Sequence, residues 1–189
     1  MNQYKYWKVI FDLVFAVILL IFLMPLLIVL FVITSLDTSS NGIFFQKRIG
    51  QYGDPFIIFK FKTIHEKTMI CSAIGQLLRK FKLDELPQLF NILKGDMSFV
   101  GPRPDIEGYY DRLVGADREV LKLKPGLTCE ASIKYRNEES LLKMQKDPLA
   151  YNDEILFPNK VKMNLEYLEN MSFKNDIKIL FRTLITILK

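Results

Sequence analysis

Residues 83–104 read Leu-Asp-Glu-Leu-Pro-Gln-Leu-Phe-Asn-Ile-Leu-Lys-Gly-Asp-Met-Ser-Phe-Val-Gly-Pro-Arg-Pro, and this stretch is the most informative in the chain. Its apolar residues recur at helical spacing and predict one helical face: Leu86, Leu89, Phe90 and Leu93. Asp84 is a suitable N-cap and Gly95 a suitable terminator for that helix. The pair Asp84-Glu85 would then lie at the positive end of the helix dipole, which favours ionised carboxylates.

The predicted helix is followed by Val-Gly-Pro-Arg-Pro, whose prolines predict a stiff loop that holds Arg103 in place. The fork of an arginine side chain matches the oxygens of a phosphate group. A placed carboxylate and a placed guanidinium in one segment therefore indicate chemistry on a phosphate. On local pattern alone, an Asp-Glu pair that opens a helix is more often ordinary capping than catalysis.

The 189 residues suffice for one domain with at most one appendage. The net charge of +5 is uneven, because residues 1–83 carry ten Lys and Arg against four Asp and Glu, whereas residues 84–189 are nearly balanced. The basic half also contains the uncharged apolar run Leu13–Ile33, which fits an anionic membrane surface and anionic substrates. No RNA-binding aromatic motif, zinc-finger spacing or basic repeat is present, so a nucleic-acid partner is not expected.

Cysteine and histidine usage limits the chemistry further. Cys71 and Cys129 are far apart and follow no pattern, which is typical of free thiols in a reducing compartment. His65 is the only histidine, and we interpret it as an ordinary loop or surface residue. A histidine-based catalytic triad or zinc site is therefore not expected, and any metal should be a hard cation on carboxylates, as Mg²⁺ prefers.

The apolar run Leu13–Ile33 is long enough to cross a bilayer, at about 1.5 Å per residue against about 30 Å. A signal peptide is disfavoured because the run is long and no small-residue cleavage site follows. Pro25 in the middle of the run predicts a kink. Basic residues lie on both sides, whereas a spanning helix usually shows a one-sided bias. A bent hairpin that enters and leaves by the cytoplasmic face accounts for both observations, and a plain kinked transmembrane helix fits the local sequence about equally well.

Two short strands, Gly42–Gln46 and Pro55–Lys62, are predicted on either side of a glycine-rich turn. Alternation in the second strand puts Lys60 and Lys62 on one face and the phenylalanine rings on the other. A short amphipathic helix is predicted just before the acid pair, with Arg79 near its end and these apolar residues: Ile74, Leu77, Leu78 and Phe81.

The C-terminal segment Asp176–Lys189 also places its apolar residues on one helical face. Considered alone, this pattern is more typical of a helix that packs on a core. Because a membrane anchor is already predicted, an amphipathic helix in the plane of the membrane interface is the better interpretation.

These motifs resemble one family over nearly the whole chain, the bacterial sugar transferases known as monotopic phosphoglycosyl transferases. The resemblance rests on Asp84-Glu85 with the Leu-Pro-Gln-Leu-Phe-Asn run, on Lys-Gly-Asp-Met-Ser and on Gly-Pro-Arg-Pro. Further similar blocks are Phe44-x-Gln46-x-Arg48-x-Gly50, Lys60-Phe61-Lys62-Thr63, Lys124-Pro125-Gly126-Leu127-Thr128 and Arg136-Asn137. The chain departs from the family pattern at Met24-Pro25, where members often have Ser-Pro, and at Cys129-Glu130.

The resemblance implies transfer of a phospho-sugar from a UDP-sugar to a polyprenyl (undecaprenyl) phosphate, with release of UMP, as the first membrane step of a bacterial glycoconjugate pathway. It implies that Asp84 is the nucleophile, and that Glu85 assists as a base or as a partner in a metal site. The implied cofactor is Mg²⁺, with Asp84 and Glu85 as its ligands. The implied phosphate-binding residues are Lys60, Arg79, Arg103 and Arg136. Contact with the membrane surface is an equally good interpretation for Lys80 and Lys82.

We therefore expect a helix-rich α/β fold in a monotopic membrane protein at the cytoplasmic face of the bacterial inner membrane. Residues 1–36 should form a re-entrant membrane helix broken at Pro25. Residues 37–189 should form a cytoplasmic catalytic domain with a small strand element and amphipathic interfacial helices. Expected partners are the UDP-sugar donor, the polyprenyl phosphate acceptor and membrane lipids, and a homodimer is left open. The alternative is a catalytically inactive, membrane-anchored scaffold in envelope polysaccharide assembly, against which the presence of Asp84, Glu85 and Arg103 counts.

Overall fold

The computed structural model describes residues 4–188, and within them the fold is helix-rich with two small sheets. The helices are α1 (Tyr4–Thr38), α2 (Ala73–Lys80), α3 (Gln88–Lys94), α4 (Glu130–Lys134), α5 (Glu138–Lys143), α6 (Pro148–Tyr151), α7 (Phe157–Glu169) and α8 (Phe173–Leu188). The strands are β1 (Ile43–Ile49), β2 (Pro55–Phe61), β3 (Ser98–Val100) and β4 (Gly126–Thr128). The expected combination of many helices with a small strand element is confirmed.

Helix α1 is continuous over 35 residues and contains Pro25. The prediction that the helix is broken at Pro25 is wrong in this respect, since one helix runs from Tyr4 to Thr38. A proline removes one hydrogen bond and crowds the preceding turn, and here the helical hydrogen bonds on either side carry the helix through. At about 1.5 Å per residue the helix is about 52 Å long, well beyond the roughly 30 Å of a bilayer core. By length and composition it is the one described helix that could cross a membrane.

One face of α1 packs on the rest of the protein along almost its whole length. The buried apolar residues of this face, Ala16, Leu20, Leu27 and Leu30, belong to the same core as the buried residues of α3 and β3. Near one end Lys8 Nζ donates to Asp176 Oδ2 of α8, and near the other Asp37 Oδ2 accepts a hydrogen bond from Ser72 Oγ at 2.7 Å. Both ends of the helix therefore contact one and the same domain.

The first sheet is an antiparallel hairpin in which Ile43 pairs with Phe61 and Ile49 with Pro55. The turn between its strands contains Tyr52 and Gly53, both at positive φ. The hairpin and its glycine-rich turn confirm the two predicted strands, although β1 extends to Ile49. This sheet places Lys60 on the strand that faces the acid pair.

The second sheet pairs β3 with β4 in parallel, and it fixes the loop that carries Arg103. Gly101 and Gly126 lie back to back, since a Cβ atom on Gly101 would come within 2.2 Å of the Lys124 carbonyl oxygen and one on Gly126 within 2.1 Å of the Gly101 nitrogen. Only glycine allows backbones to approach this closely. The Gly101 N–H donates to the Thr128 carbonyl, and the Gly126 N–H donates to the Pro102 carbonyl.

Helix α3 ends at Gly95, whose φ of 84° gives the left-handed termination that was predicted. Its buried face is different from the predicted one, because Leu89 and Ile92 are buried whereas Phe90 and Leu93 are exposed. Asn91 is fully buried between them. Its side chain accepts from the Phe59 N–H and donates to the Ile57 carbonyl, so a polar residue joins α3 to β2.

The amphipathic helices α2 and α8 confirm the predicted segments, and most of their apolar residues are exposed. In α8 the exposed residues are Phe173, Ile177, Phe181, Leu184, Ile185 and Leu188, whereas the buried ones are Asp176 and Ile179. A helix whose apolar face stays outside the core is typical of an interfacial helix rather than of core packing. Lys189 lies outside the described residues.

Lys8→Ala is expected to lower the free energy of unfolding by about 3–5 kcal/mol, because the buried Asp176 carboxylate loses its cation. Thermal unfolding of the detergent-solubilised protein measures the effect as a lower Tm. Lys5→Ala, at an exposed position of the same helix, is the matched control and should leave the Tm nearly unchanged. Equal Tm values for the two variants would contradict the assigned role of the Lys8–Asp176 pair.

Candidate active site

The acid pair lies in a 3₁₀ turn, Leu83–Glu85, and not at the start of an α-helix. Helix α3 begins three residues later, at Gln88, with Pro87 at its N-cap and no side-chain capping bond. The prediction that Asp84 is an N-cap is therefore wrong. The Glu85 N–H bonds to the Lys82 carbonyl and the Leu86 N–H to the Leu83 carbonyl, so the backbone of the turn is satisfied without the Asp84 side chain.

Glu85 is held by two cations from distant parts of the chain. Its Oε1 accepts from Lys60 Nζ at 3.0 Å and from Arg103 Nη2 at 2.5 Å, and its Oε2 accepts from Arg103 Nη1 at 3.2 Å. Burial alone would raise the pKa of Glu85, but the charges of Arg103 and Lys60 outweigh burial and hold that pKa well below its usual range. Glu85 is therefore an ionised, immobilised carboxylate.

Asp84 is also buried, with 8 % of its surface exposed, but its Oδ1 atom has no hydrogen-bond partner among the described residues. Burial raises the pKa of Asp84, and the adjacent Glu85 charge raises it further. The cations Lys60, Lys82 and Arg79 oppose this rise. A buried acceptor that is left unpaired is costly, and such groups are concentrated at functional sites. The two carboxylates therefore differ, because Glu85 is bound by two cations whereas Asp84 Oδ1 has no partner among the described residues.

Arg103 keeps part of its side chain accessible, since 45 % of it is exposed while it pairs with Glu85. Two of its nitrogens bind Glu85, and a guanidinium carries five N–H donors. The Glu85 charge raises the pKa of Arg103, so this group stays cationic. Donors remain for an anionic ligand that approaches from solvent.

The structure brings Arg79 near the pair but leaves Arg136 without a link to it. Arg79 Nε donates to Thr63 Oγ1 at 2.8 Å, and its charge lowers the pKa of Asp84. Arg136 follows the end of α4, is exposed, and makes no hydrogen bond or ion pair to either acid within the described chain. Three of the four predicted phosphate-binding cations thus surround the acid pair.

Arg48 is a site residue that the sequence interpretation did not single out. It lies on β1, where Nη2 donates to Gln46 Oε1 at 2.7 Å, while its buried Nε atom has no partner among the described residues. Burial lowers the pKa of Arg48, the charge of Asp105 opposes this fall, and the nearby charge of Arg103 adds to it. The signal lay in the strand pattern, because the pairing of Phe44 with Lys60 puts alternate residues of β1, Arg48 included, on the Lys60 face.

A magnesium ion was predicted at Asp84 and Glu85. Among residues 4–188 no group of three or more Asp, Glu, His or Cys side chains could hold a metal by itself. Mg²⁺ is usually held by one or two carboxylates together with substrate phosphates and water. Asp84 Oδ1 has no partner, and Glu85 Oε2 accepts only one bond, so the two carboxylates fit an ion that is bound together with a diphosphate.

Asp84→Asn is expected to leave the Tm unchanged or raise it, because it removes an unpaired buried charge beside Glu85. Glu85→Gln is expected to lower the free energy of unfolding by about 3 kcal/mol or more, since Lys60 and Arg103 lose their shared counter-charge. Thermal unfolding of both variants in the same detergent measures the difference. A larger loss of stability for Asp84→Asn than for Glu85→Gln would overturn the assignment of the fixed and the free carboxylate.

Comparison with known proteins places the chain in a family. The family model described as bacterial sugar transferase matches residues 3–189. The uncharacterized sugar transferase EpsL of Bacillus subtilis (strain 168) is 32 % identical over 186 residues, which cover 93 % of this chain and 84 % of that protein.

Two relatives with named activities are longer proteins. The UDP-glucose:undecaprenyl-phosphate glucose-1-phosphate transferase of Escherichia coli (strain K12) is 33 % identical over 91 % of this chain and 38 % of its own length. The undecaprenyl-phosphate galactose phosphotransferase of Salmonella typhimurium is 29 % identical over 98 % of this chain and 41 % of its own length. The chain thus spans about two-fifths of these two relatives. Because the family model covers nearly the whole chain, this protein belongs to the bacterial sugar transferase family.

Proposed function

We propose that this protein transfers a phospho-sugar from a UDP-sugar to a polyprenyl phosphate such as undecaprenyl phosphate, through a covalent intermediate on Asp84. The observation that carries the proposal is the unpaired, buried Asp84 Oδ1 beside a Glu85 held by Lys60 and Arg103. The names of both longer relatives support the acceptor, since each specifies undecaprenyl phosphate, and one of them supports the donor, since it specifies UDP-glucose. An assay of transfer with a panel of UDP-sugars would identify the sugar.

In the first step an Asp84 carboxylate oxygen attacks the sugar-linked phosphorus of the UDP-sugar. The bond from that phosphorus to the oxygen of UMP breaks, and UMP leaves with the electron pair. A carboxylate is an effective covalent catalyst when it is positioned and its charge is compensated. The surrounding cations Lys60, Arg79 and Arg103 supply that compensation and stabilise the charge that develops on the phosphate oxygens.

In the second step an oxygen of the polyprenyl phosphate attacks the phosphorus held on Asp84. The bond between phosphorus and Asp84 breaks, and the electron pair returns to the carboxylate. The product is a polyprenyl diphospho-sugar. An acceptor phosphate in its dianionic form needs no base for this attack, which fits a site that contains no histidine.

Glu85 is best assigned as the fixed charge of the site. Its three accepted hydrogen bonds and lowered pKa make it a poor base, so its role is to orient Lys60 and Arg103 and to hold a metal ion that arrives with the donor. Mg²⁺, bound by the two carboxylates and the diphosphate, would neutralise the leaving UMP. The chain's own cations position the phosphates on either side of Asp84.

The exposed apolar face of α1 and the family membership indicate membrane association. We further propose that α1 bends at Pro25 without losing its helical continuity, and that it enters and leaves the membrane by the cytoplasmic face. A straight spanning helix would separate its two ends by the thickness of the bilayer. Instead Lys8 and Asp37, near opposite ends of α1, both contact the catalytic domain. The exposed apolar side of α8 would then lie in the membrane interface.

The alternative function is an inactive scaffold. Release of UMP and formation of a covalent adduct distinguish the enzyme from such a scaffold. Incubation with a UDP-sugar and Mg²⁺, without lipid acceptor, is expected to release UMP in a burst of at most one equivalent. Intact-mass analysis should then detect one phospho-sugar on the protein. Asp84→Asn should lose the adduct and the transfer activity, because the amide has the same shape but is not a nucleophile.

Steady-state kinetics test the same two-step scheme. Varying the donor at several acceptor concentrations should give parallel double-reciprocal lines. Intersecting lines together with the absence of an adduct would mean direct transfer in a ternary complex. Absence of UMP release with every UDP-sugar in a panel would favour the scaffold.

The topology is tested by single cysteines introduced at Lys5 and Asn41, on a background in which Cys71 and Cys129 are replaced by serine. A membrane-impermeant maleimide should label both positions in inverted vesicles and neither in spheroplasts. Labelling of the two positions from opposite faces would show that α1 spans the membrane.

A further inference from the structure

Lys82, two residues before Asp84, adopts a backbone conformation that is unusual for its residue type. Its φ of 57° and ψ of 20° lie in the left-handed region, where the described chain has three other non-glycine residues, Ser39, Tyr52 and Met69. A lysine in this conformation costs roughly 1–2 kcal/mol relative to the right-handed region. Backbone strain of this kind is concentrated at functional sites. Here the left-handed conformation of Lys82 sets the direction in which the backbone enters the turn that carries the acid pair.

The ammonium group of Lys82 is not paired with another side chain among the described residues. Among the described residues it has no ion pair or side-chain hydrogen bond, whereas Lys60 and Arg103 both bind Glu85 and Lys62 binds Glu66. Its ammonium group is nevertheless close enough to lower the pKa values of both Asp84 and Glu85. Lys82 is therefore an uncommitted cation beside the carboxylate whose Oδ1 atom has no partner.

The two helices that flank Lys82 in the chain expose apolar side chains. Helix α2, which ends two residues before it, exposes 44 % of Ile74 and 53 % of Leu77, and helix α3 after the turn exposes Phe90 and Leu93. Basic residues at the edge of an exposed apolar helical face are typical of a membrane interface. A phosphate carried on an isoprenoid chain would reach the site along such a surface. The cations Lys60 and Arg103 come from other elements, since Lys60 lies on β2 and Arg103 follows β3.

We propose that Lys82 binds the phosphate of the lipid acceptor and holds it in line with the phosphorus on Asp84. This inference rests on the proposed function. In the second step an acceptor phosphate oxygen forms a bond to the phosphorus, the bond from phosphorus to Asp84 breaks, and the electron pair returns to that carboxylate. The charge of Lys82 offsets the repulsion between the incoming dianion and the acidic site.

Lys82→Asn is the informative variant, because asparagine tolerates the left-handed conformation and removes the charge without new strain. In nonionic detergent micelles, kcat/KM for a short-chain polyprenyl phosphate should fall at least tenfold, while kcat/KM for the UDP-sugar changes less than threefold. Lys82→Arg should retain acceptor kcat/KM within about fivefold. Lys80→Gln, a nearby exposed lysine whose ammonium lies over the Phe81 ring, is the matched control and should behave like the parent.

The half-reactions separate the possible outcomes. UMP release and adduct formation without acceptor should proceed in Lys82→Asn within twofold of the parent rate. An equal loss in the donor half-reaction, or no loss of acceptor kcat/KM in Lys82→Asn, would overturn the assignment. If the parent forms no adduct but still transfers sugar phosphate, the covalent route fails, and the acceptor and donor kcat/KM values still test Lys82 independently.

Discussion

The pairing of Glu85 with Lys60 and Arg103 is the interaction on which the site depends. It joins the hairpin strand β2, the 3₁₀ turn and the loop after β3. Lys60 lies 25 residues before Glu85 in the chain, and Arg103 lies 18 residues after it. A buried carboxylate between two cations is costly to dehydrate, and removal of any one partner leaves an uncompensated charge. Three segments therefore have to meet in one geometry for the charges to be compensated.

This arrangement leaves the neighbouring carboxylate free. The cations are oriented toward Glu85, so Asp84 is surrounded by positive charge without being bound by it. Asp84 Oδ1 therefore lacks the hydrogen bonds that would stabilise a buried carboxylate, a loss of stability that is common in active sites. Adjacent residues of the same chemical class thus differ because their surroundings differ, and Arg79 and Lys82 add further positive charge that lowers the pKa of Asp84.

The apolar N-terminal helix is part of the folded domain and not a detachable anchor. Its buried face contributes to the common core, and the Phe99 N–H of β3, the strand before the Arg103 loop, donates to Asp12 Oδ1 at 3.4 Å. On α8, Asp176 receives hydrogen bonds from Lys8 and from Tyr167. Helices α1 and α8 and the strand that precedes Arg103 are consequently one packed unit.

The local sequence pattern was sufficient to predict the secondary-structure elements that depend only on neighbouring residues. These are the hairpin with its glycine-rich turn, the amphipathic helices α2 and α8, and the end of α3 at Gly95. It also identified Asp84, Glu85, Lys60 and Arg103 as neighbours through their family motifs.

The capping role of Asp84, the break at Pro25 and the buried face of α3 were predicted wrongly. The first two errors have local causes, since backbone bonds satisfy the turn and flanking hydrogen bonds carry α1 past its proline. The third depends on tertiary contacts, because Asn91 is buried where β2 supplies its partners. Only the folded chain decided which carboxylate is fixed and which is free, because that difference arises from cations that are distant in sequence.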